Sequence, residues 1–208
     1  MAGRPREFDR DKALESARDA FWTRGYEGTS MADLVAALGI ASARIYAAFG
    51  SKQQLFREAV GLYEANEGGF ALRALAGQPT ARQAVDKMLR DAAETYTRPG
   101  KPQGCMVVTA ATNCAAENDA VRDWLTGHRH KQTESIVARL DRGVADGELK
   151  ADTDTHMLGD YLATVMHGLS VQARDGVVQA RLLAFIPLAM QAIDAALANQ
   201  VESRSEDV

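Results

Sequence analysis

Arg44 and Tyr46 stand two residues apart in the stretch Ser42-Ala43-Arg44-Ile45-Tyr46-Ala47-Ala48-Phe49, where alanine supplies much of the remainder. A guanidinium can fork onto the O6 and N7 acceptors of guanine, worth about 1–3 kcal/mol of discrimination, and a tyrosine suits a phosphate or a thymine methyl. That chemistry needs a slim helical face able to enter a major groove, and Ser42, Ala43, Arg44, Ala47 and Ala48 offer one. Thr29 and Lys52 fall at expected helix starts, where backbone N–H groups and positive charge attract phosphate. Arg4 and Arg6, in a Gly-Arg-Pro-Arg arm, extend the same basic surface. Taken singly, Arg44 is equally compatible with a solvated surface arginine.

The elements that must position these side chains are helices. Apolar residues Ala13, Leu14, Ala17, Ala20 and Phe21 form one stripe of a first helix, capped by Asp9 or Asp11 and ended at Gly25. Thr29 or Ser30 caps a second, with Met31, Leu34, Val35 and Leu38 inward. Gly39 makes the turn, Ser42 caps a third helix through Phe49, and Ile45 and Phe49 face the three-helix core. Ser51 opens a fourth, in which Leu55, Phe56, Val60 and Tyr63 recur on one side. Further on, Thr80 caps a helix to about Thr97, and the prolines and glycines of residues 98–104 break the chain. Helices are then expected over about 105–116, 119–146, 154–174 and 178–199. No strand pattern emerges, so the fold class is all-α with about nine helices. The expected organisation is a helix-turn-helix DNA-binding domain over 1–61 with a basic arm, a ligand-binding and dimerisation domain over 62–200, and a flexible tail over 201–208.

Three runs share one resemblance: Ala17-Arg18-Asp19-Ala20-Phe21-Trp22-Thr23-Arg24-Gly25-Tyr26-Glu27-Gly28-Thr29-Ser30, Ile45-Tyr46-Ala47-Ala48-Phe49, and Ser51-Lys52-Gln53-Gln54-Leu55-Phe56. Over about residues 9–57 the chain resembles the N-terminal domain of the tetracycline-repressor (TetR) family. The resemblance implies a homodimeric one-component regulator, with helices 1–3 on DNA and C-terminal helices that bind a small effector and dimerise. It places Thr29, Tyr46 and Lys52 at phosphate-contacting positions and Ser42 and Arg44 near bases. Ala47 and Ala48 are smaller than the residues often found there, so base readout would rest on fewer side chains.

Beyond about residue 62 only the helical architecture is shared, so the site there must be read from the residues. Leu158, Leu162 and Val165 form one apolar stripe, and Leu182, Phe185, Ile186, Met190 and Ile193 a wider one. Such coverage suits a four-helix interface between two copies, or else burial within one protomer. Met88, Tyr96, Cys105, Met106, Cys114, Trp124, His128, Tyr161 and His167 combine apolar bulk with polar tips fit to line a ligand pocket between helices, although each singly is an ordinary core residue. Cys105 and Cys114, about 13 Å apart if on one helix, cannot bond to each other. Cys105 at a helix start is expected to be the more reactive thiol. The bland alternative is that both are small hydrophobes. The Gly104-Cys105-Met106-Val107-Val108 stretch also resembles one in family members that respond to reactive ligands or metals.

Bulk composition agrees with this frame. The 208 residues, 46% hydrophobic and 25% charged, are those of a globular protein with no apolar run of membrane-spanning length, and no secretory leader is expected. Two cysteines fit a reducing cytoplasm. The net charge of −4 is unevenly divided: residues 1–61 hold nine Lys/Arg against eight Asp/Glu, the remainder fifteen against twenty. No metal motif, cofactor fingerprint or catalytic signature is present. The expected partners are double-stranded operator DNA, a small-molecule effector and a second copy of the chain, with no metal, cofactor or membrane. The competing reading is a helical small-molecule carrier, or an enzyme built on Cys105 with His128 or His130, retaining a vestigial helix-turn-helix.

Overall fold

The computed structural model describes residues 8–112 and 114–198. Arg4, Arg6 and the 201–208 tail lie outside the described residues. Eleven α-helices and no strand occur among those described: α1 (Arg10–Arg24), α2 (Met31–Leu38), α3 (Ser42–Phe49), α4 (Lys52–Ala65), α5 (Phe70–Gly77), α6 (Ala81–Tyr96), α7 (Met106–Thr109), α8 (Asp119–Ala145), α9 (Thr155–Arg174), α10 (Gln179–Leu183) and α11 (Ile186–Ala196). No single helix among them is long and apolar enough to cross a membrane.

Side-chain caps set most of the starts. Asp9, Ser30, Ser51, Thr80 and Asp154 each accept a backbone N–H in the first turn of α1, α2, α4, α6 and α9. Ser30 and Asp33 form a reciprocal capping box.

Two expectations fail for identifiable reasons. The helix over 105–116 is only the four-residue α7, because the Ala110 carbonyl turns away to accept Tyr26 N–H at 2.7 Å. Cys105 and Cys114 therefore share no helix. The last helix is two pieces, α10 and α11, since Pro187 has no N–H to return to Leu183 and its ring crowds that carbonyl.

The core is continuous from the first helices to the last. At its N-terminal end, Phe21 and Tyr26 each meet Phe56 edge-on at 5.1 Å, and Trp22 meets Tyr63 at 4.8 Å. These rings lock α1 onto α4, which runs unbroken through residue 61 into the C-terminal half. Ion pairs reinforce the joint: buried Arg18 pairs with Glu67 at 3.2 Å, and Glu67 with half-buried Lys101 at 3.3 Å.

Candidate nucleic-acid interface

Gly39 ends α2 in the left-handed region (φ 67°, ψ 23°), and α3 leaves at 90° to α2. The bend turns one face of α3 inward and leaves the other bare. Ile45 and Phe49 are 1% and 2% exposed, while Ser42, Ala43, Arg44 and Ala47 are exposed and Tyr46 is 47% exposed. Arg44 makes no ion pair among the described residues. Other cations nearby are neutralised, Arg10 by Glu58 at 2.7 Å and Arg24 by Asp33.

Two expected roles need revision, and a third residue is held in a way its spacing did not suggest. Ala41, not Ser42, is the N-cap of α3, so the Ser42 hydroxyl is left outward on the first turn. Thr29 is wholly buried and donates its hydroxyl to the Gly25 carbonyl at 2.7 Å; it braces the α1–α2 loop, and its side chain cannot reach a phosphate. Lys52 is half-buried with its ammonium 4.3 Å from the centre of the Tyr26 ring. Burial lowers the basicity of Lys52, against the opposing pull of Glu27. Residue spacing could not foretell this stacking of residues 26 apart in sequence.

In the C-terminal half, Met88, Tyr96, Cys105 and Met106 are fully buried. The Tyr63 and Tyr96 hydroxyls lie against the Cys105 thiol, yet neither has a hydrogen-bond partner of good geometry among the described residues. Burial pushes the Cys105 thiol up, which contradicts the expected thiolate character; the two phenols and the N–H groups of Val108 and Val107 only partly oppose it. Trp124 and His128 on α8 meet with their rings tilted, 4.2 Å between centres, and face α4, where His128 Nδ1 lies 2.8 Å from Glu64 Oε1. Cys114 is half-buried in the loop before α8. Tyr161 stands apart from this set, exposed on the outer face of α9. His130 is likewise exposed, so neither it nor His128 is paired with Cys105. No cluster of three or more metal-ligating side chains occurs among the described residues.

Residues 13–59 match the family described as bacterial regulatory proteins, tetR family, and residues 79–186 match the tetracyclin repressor-like C-terminal domain. The chain belongs to the TetR family. It is 31% identical over 185 residues to the HTH-type transcriptional repressor ComR of Escherichia coli K12, covering 87% of each chain. It is 29% identical over 193 residues to BdcR of the same organism, covering 93% of each. Among solved structures, a cysteine mutant of the TetR-family regulator CifR, complexed with 26-bp operator DNA, is 47% identical with a TM-score of 0.87, over 91% of this chain and 99% of that one.

Against this TetR architecture, the apolar stripes of the last helices divide differently from expectation. Leu158, Leu162, Leu182, Ile186, Met190 and Ile193 are buried inside the protomer, and Val165 and Phe185 are half-buried. They build the protomer's own core, because α9 and α11 pack on α6 and on each other. The apolar side chains left outward on α9 and α11 are Met157 (68% exposed), Tyr161, Val171 and Leu188 (64%).

Proposed function

We propose that this chain is a repressor that binds palindromic operator DNA as a homodimer, with its affinity set by a small-molecule effector in the C-terminal domain. The observation that carries the reading is the exposed face of α3, where Arg44 and Tyr46 project beside small residues while Ile45 and Phe49 anchor the helix. The operator complex of CifR supports it. In this reading Arg44 reads a base, Ser42 and the small Ala43 and Ala47 let the backbone approach, and Tyr46 and Lys52 hold phosphates. Residues 1–61 form the reading head and 62–200 the regulatory domain. The second copy covers the apolar side chains left outward on α9 and α11: Met157, Tyr161, Val171 and Leu188. Two heads in a dimer must present α3 about 34 Å apart to meet successive major grooves. An effector that changes this separation shifts the population away from the DNA-bound form. The route is short, since α4 belongs to both halves and the Gly104 carbonyl bonds directly to Trp22 on α1.

Titration of fluorescent operator DNA at several salt concentrations tests the reading. Affinity should fall by about 0.9 log units per log unit of salt for each phosphate contact. A flat salt response with no preferred sequence would instead fit a ligand carrier.

A further inference from the structure

Arg129, on α8, is half-buried, and both of its described partners are neutral: Nη1 donates to the Val107 carbonyl at 3.1 Å and Nη2 to Thr126 Oγ1 at 2.7 Å. On α9, the Nε2 of His167 is sealed from solvent with no hydrogen-bond partner among the described residues. The helices that carry them both pack on α7. Val107 carries the bond to Arg129, while the N–H of Cys105 donates to Ser170 Oγ at 2.8 Å, and His167 lies one turn before Ser170 on the same face of α9. Burial lowers both groups' basicity, and the charge of Arg129 further depresses His167.

A half-buried guanidinium without a counter-charge and an imidazole nitrogen without a partner are each unfavourable. One anion relieves both. A planar carboxylate matches the two-pronged edge of arginine and leaves an oxygen to accept from a protonated Nε2. The elements meeting here bury Met106, Val107, Leu125 and Met166, so the environment favours an acid with an apolar body. We propose that Arg129 and His167 form the head-group site for a small carboxylate with an apolar or aromatic body, approached from the half-exposed side of Arg129. This names the class of effector and rests on the effector reading given above.

The test is calorimetric titration of the full chain, without DNA, using benzoate, with acetate and inorganic phosphate for comparison. Saturable binding of benzoate is expected, weakened about tenfold or more by Arg129→Gln and by His167→Gln. Arg129→Lys, which keeps the charge and loses the fork, should also weaken it and serves should the glutamine variant misfold. Absence of saturable benzoate binding, equal binding by the variants, or a preference for phosphate would overturn the proposal. So would loss of the dimer in Arg129→Gln, measured by sedimentation, since a partner's carboxylate would then be the counter-ion. Benzoate that binds through Arg129 yet leaves operator affinity untouched supports this site and sinks the effector reading alone.

Discussion

The indole N–H of Trp22 donates to the carbonyl of Gly104 at 3.0 Å, tying the last turn of α1 to the approach of α7. Around it, Tyr26 N–H bonds to Ala110, the Glu27 carboxylate accepts from Ala115 N–H and Asn118, and Arg174 donates to the Trp22 and Thr23 carbonyls. Gly104 is fixed at φ 74°, with a Cβ there only 2.7 Å from the Ser170 carbonyl. Trp22→Phe keeps an aromatic body but leaves that buried carbonyl unpaired. Urea denaturation should show a loss of about 1–3 kcal/mol. Unchanged stability would mean the bond contributes nothing to the joint.

The two cysteines should label in the order opposite to that suggested by position in the sequence. Cys105 is 1% exposed and its thiol is held up by burial, whereas Cys114 is only partly covered. Brief alkylation with iodoacetamide followed by peptide mass spectrometry should find Cys114 modified first. Earlier or equal labelling of Cys105 would contradict the packing around it.

His167 gives the fold a defined acid sensitivity. Burial, and then Arg129, hold its imidazole below the ordinary 6.5, so the folded chain keeps it neutral where the unfolded chain takes up a proton. The unfolded state binds more protons between the folded value and 6.5, so stability rises with pH through that window and is lost on acidification below about 6.5. Thermal melts across this range should show a shallower acid loss in His167→Gln. Parallel curves for the two proteins would remove His167 as the cause.

The proposed second copy sits on outward side chains rather than on the stripes that attract attention in the sequence. Leu188→Glu, at a position 64% exposed, should leave the protomer folded and convert the dimer to monomer in sedimentation velocity. A Leu188→Glu protein that remains dimeric would place the interface elsewhere.

What could be read in advance divides along local and non-local lines. Caps at Ser30, Ser51 and Thr80, the turn at Gly39 and the inward pair Ile45/Phe49 follow from neighbours three or four residues apart, and they were legible. The length of α7 was not, because it is decided by a bond between Ala110 and Tyr26, 84 positions away. Leu182 and Ile193 illustrate a second limit: periodicity marks a side chain as covered without saying whether its own protomer or another copy covers it. Thr29 illustrates a third, since a threonine beside a helix start can cap, contact phosphate or, as here, bond a preceding carbonyl. The break at Pro187 was visible in principle and was outweighed by the long apolar pattern around it. Arg129 carried no signal at all, for the absence of a carboxylate partner is a property of the folded chain.

Binding-site selection from random duplexes, run in parallel with the wild-type chain, Arg44→Ala and Lys52→Ala at one fixed salt concentration, tests the α3 reading most directly. The wild type should show a palindromic preference, relaxed at one symmetry-related base pair by Arg44→Ala and weakened evenly over all sequences by Lys52→Ala. An unchanged preferred sequence in Arg44→Ala, or no selected sequence for the wild type, would contradict it.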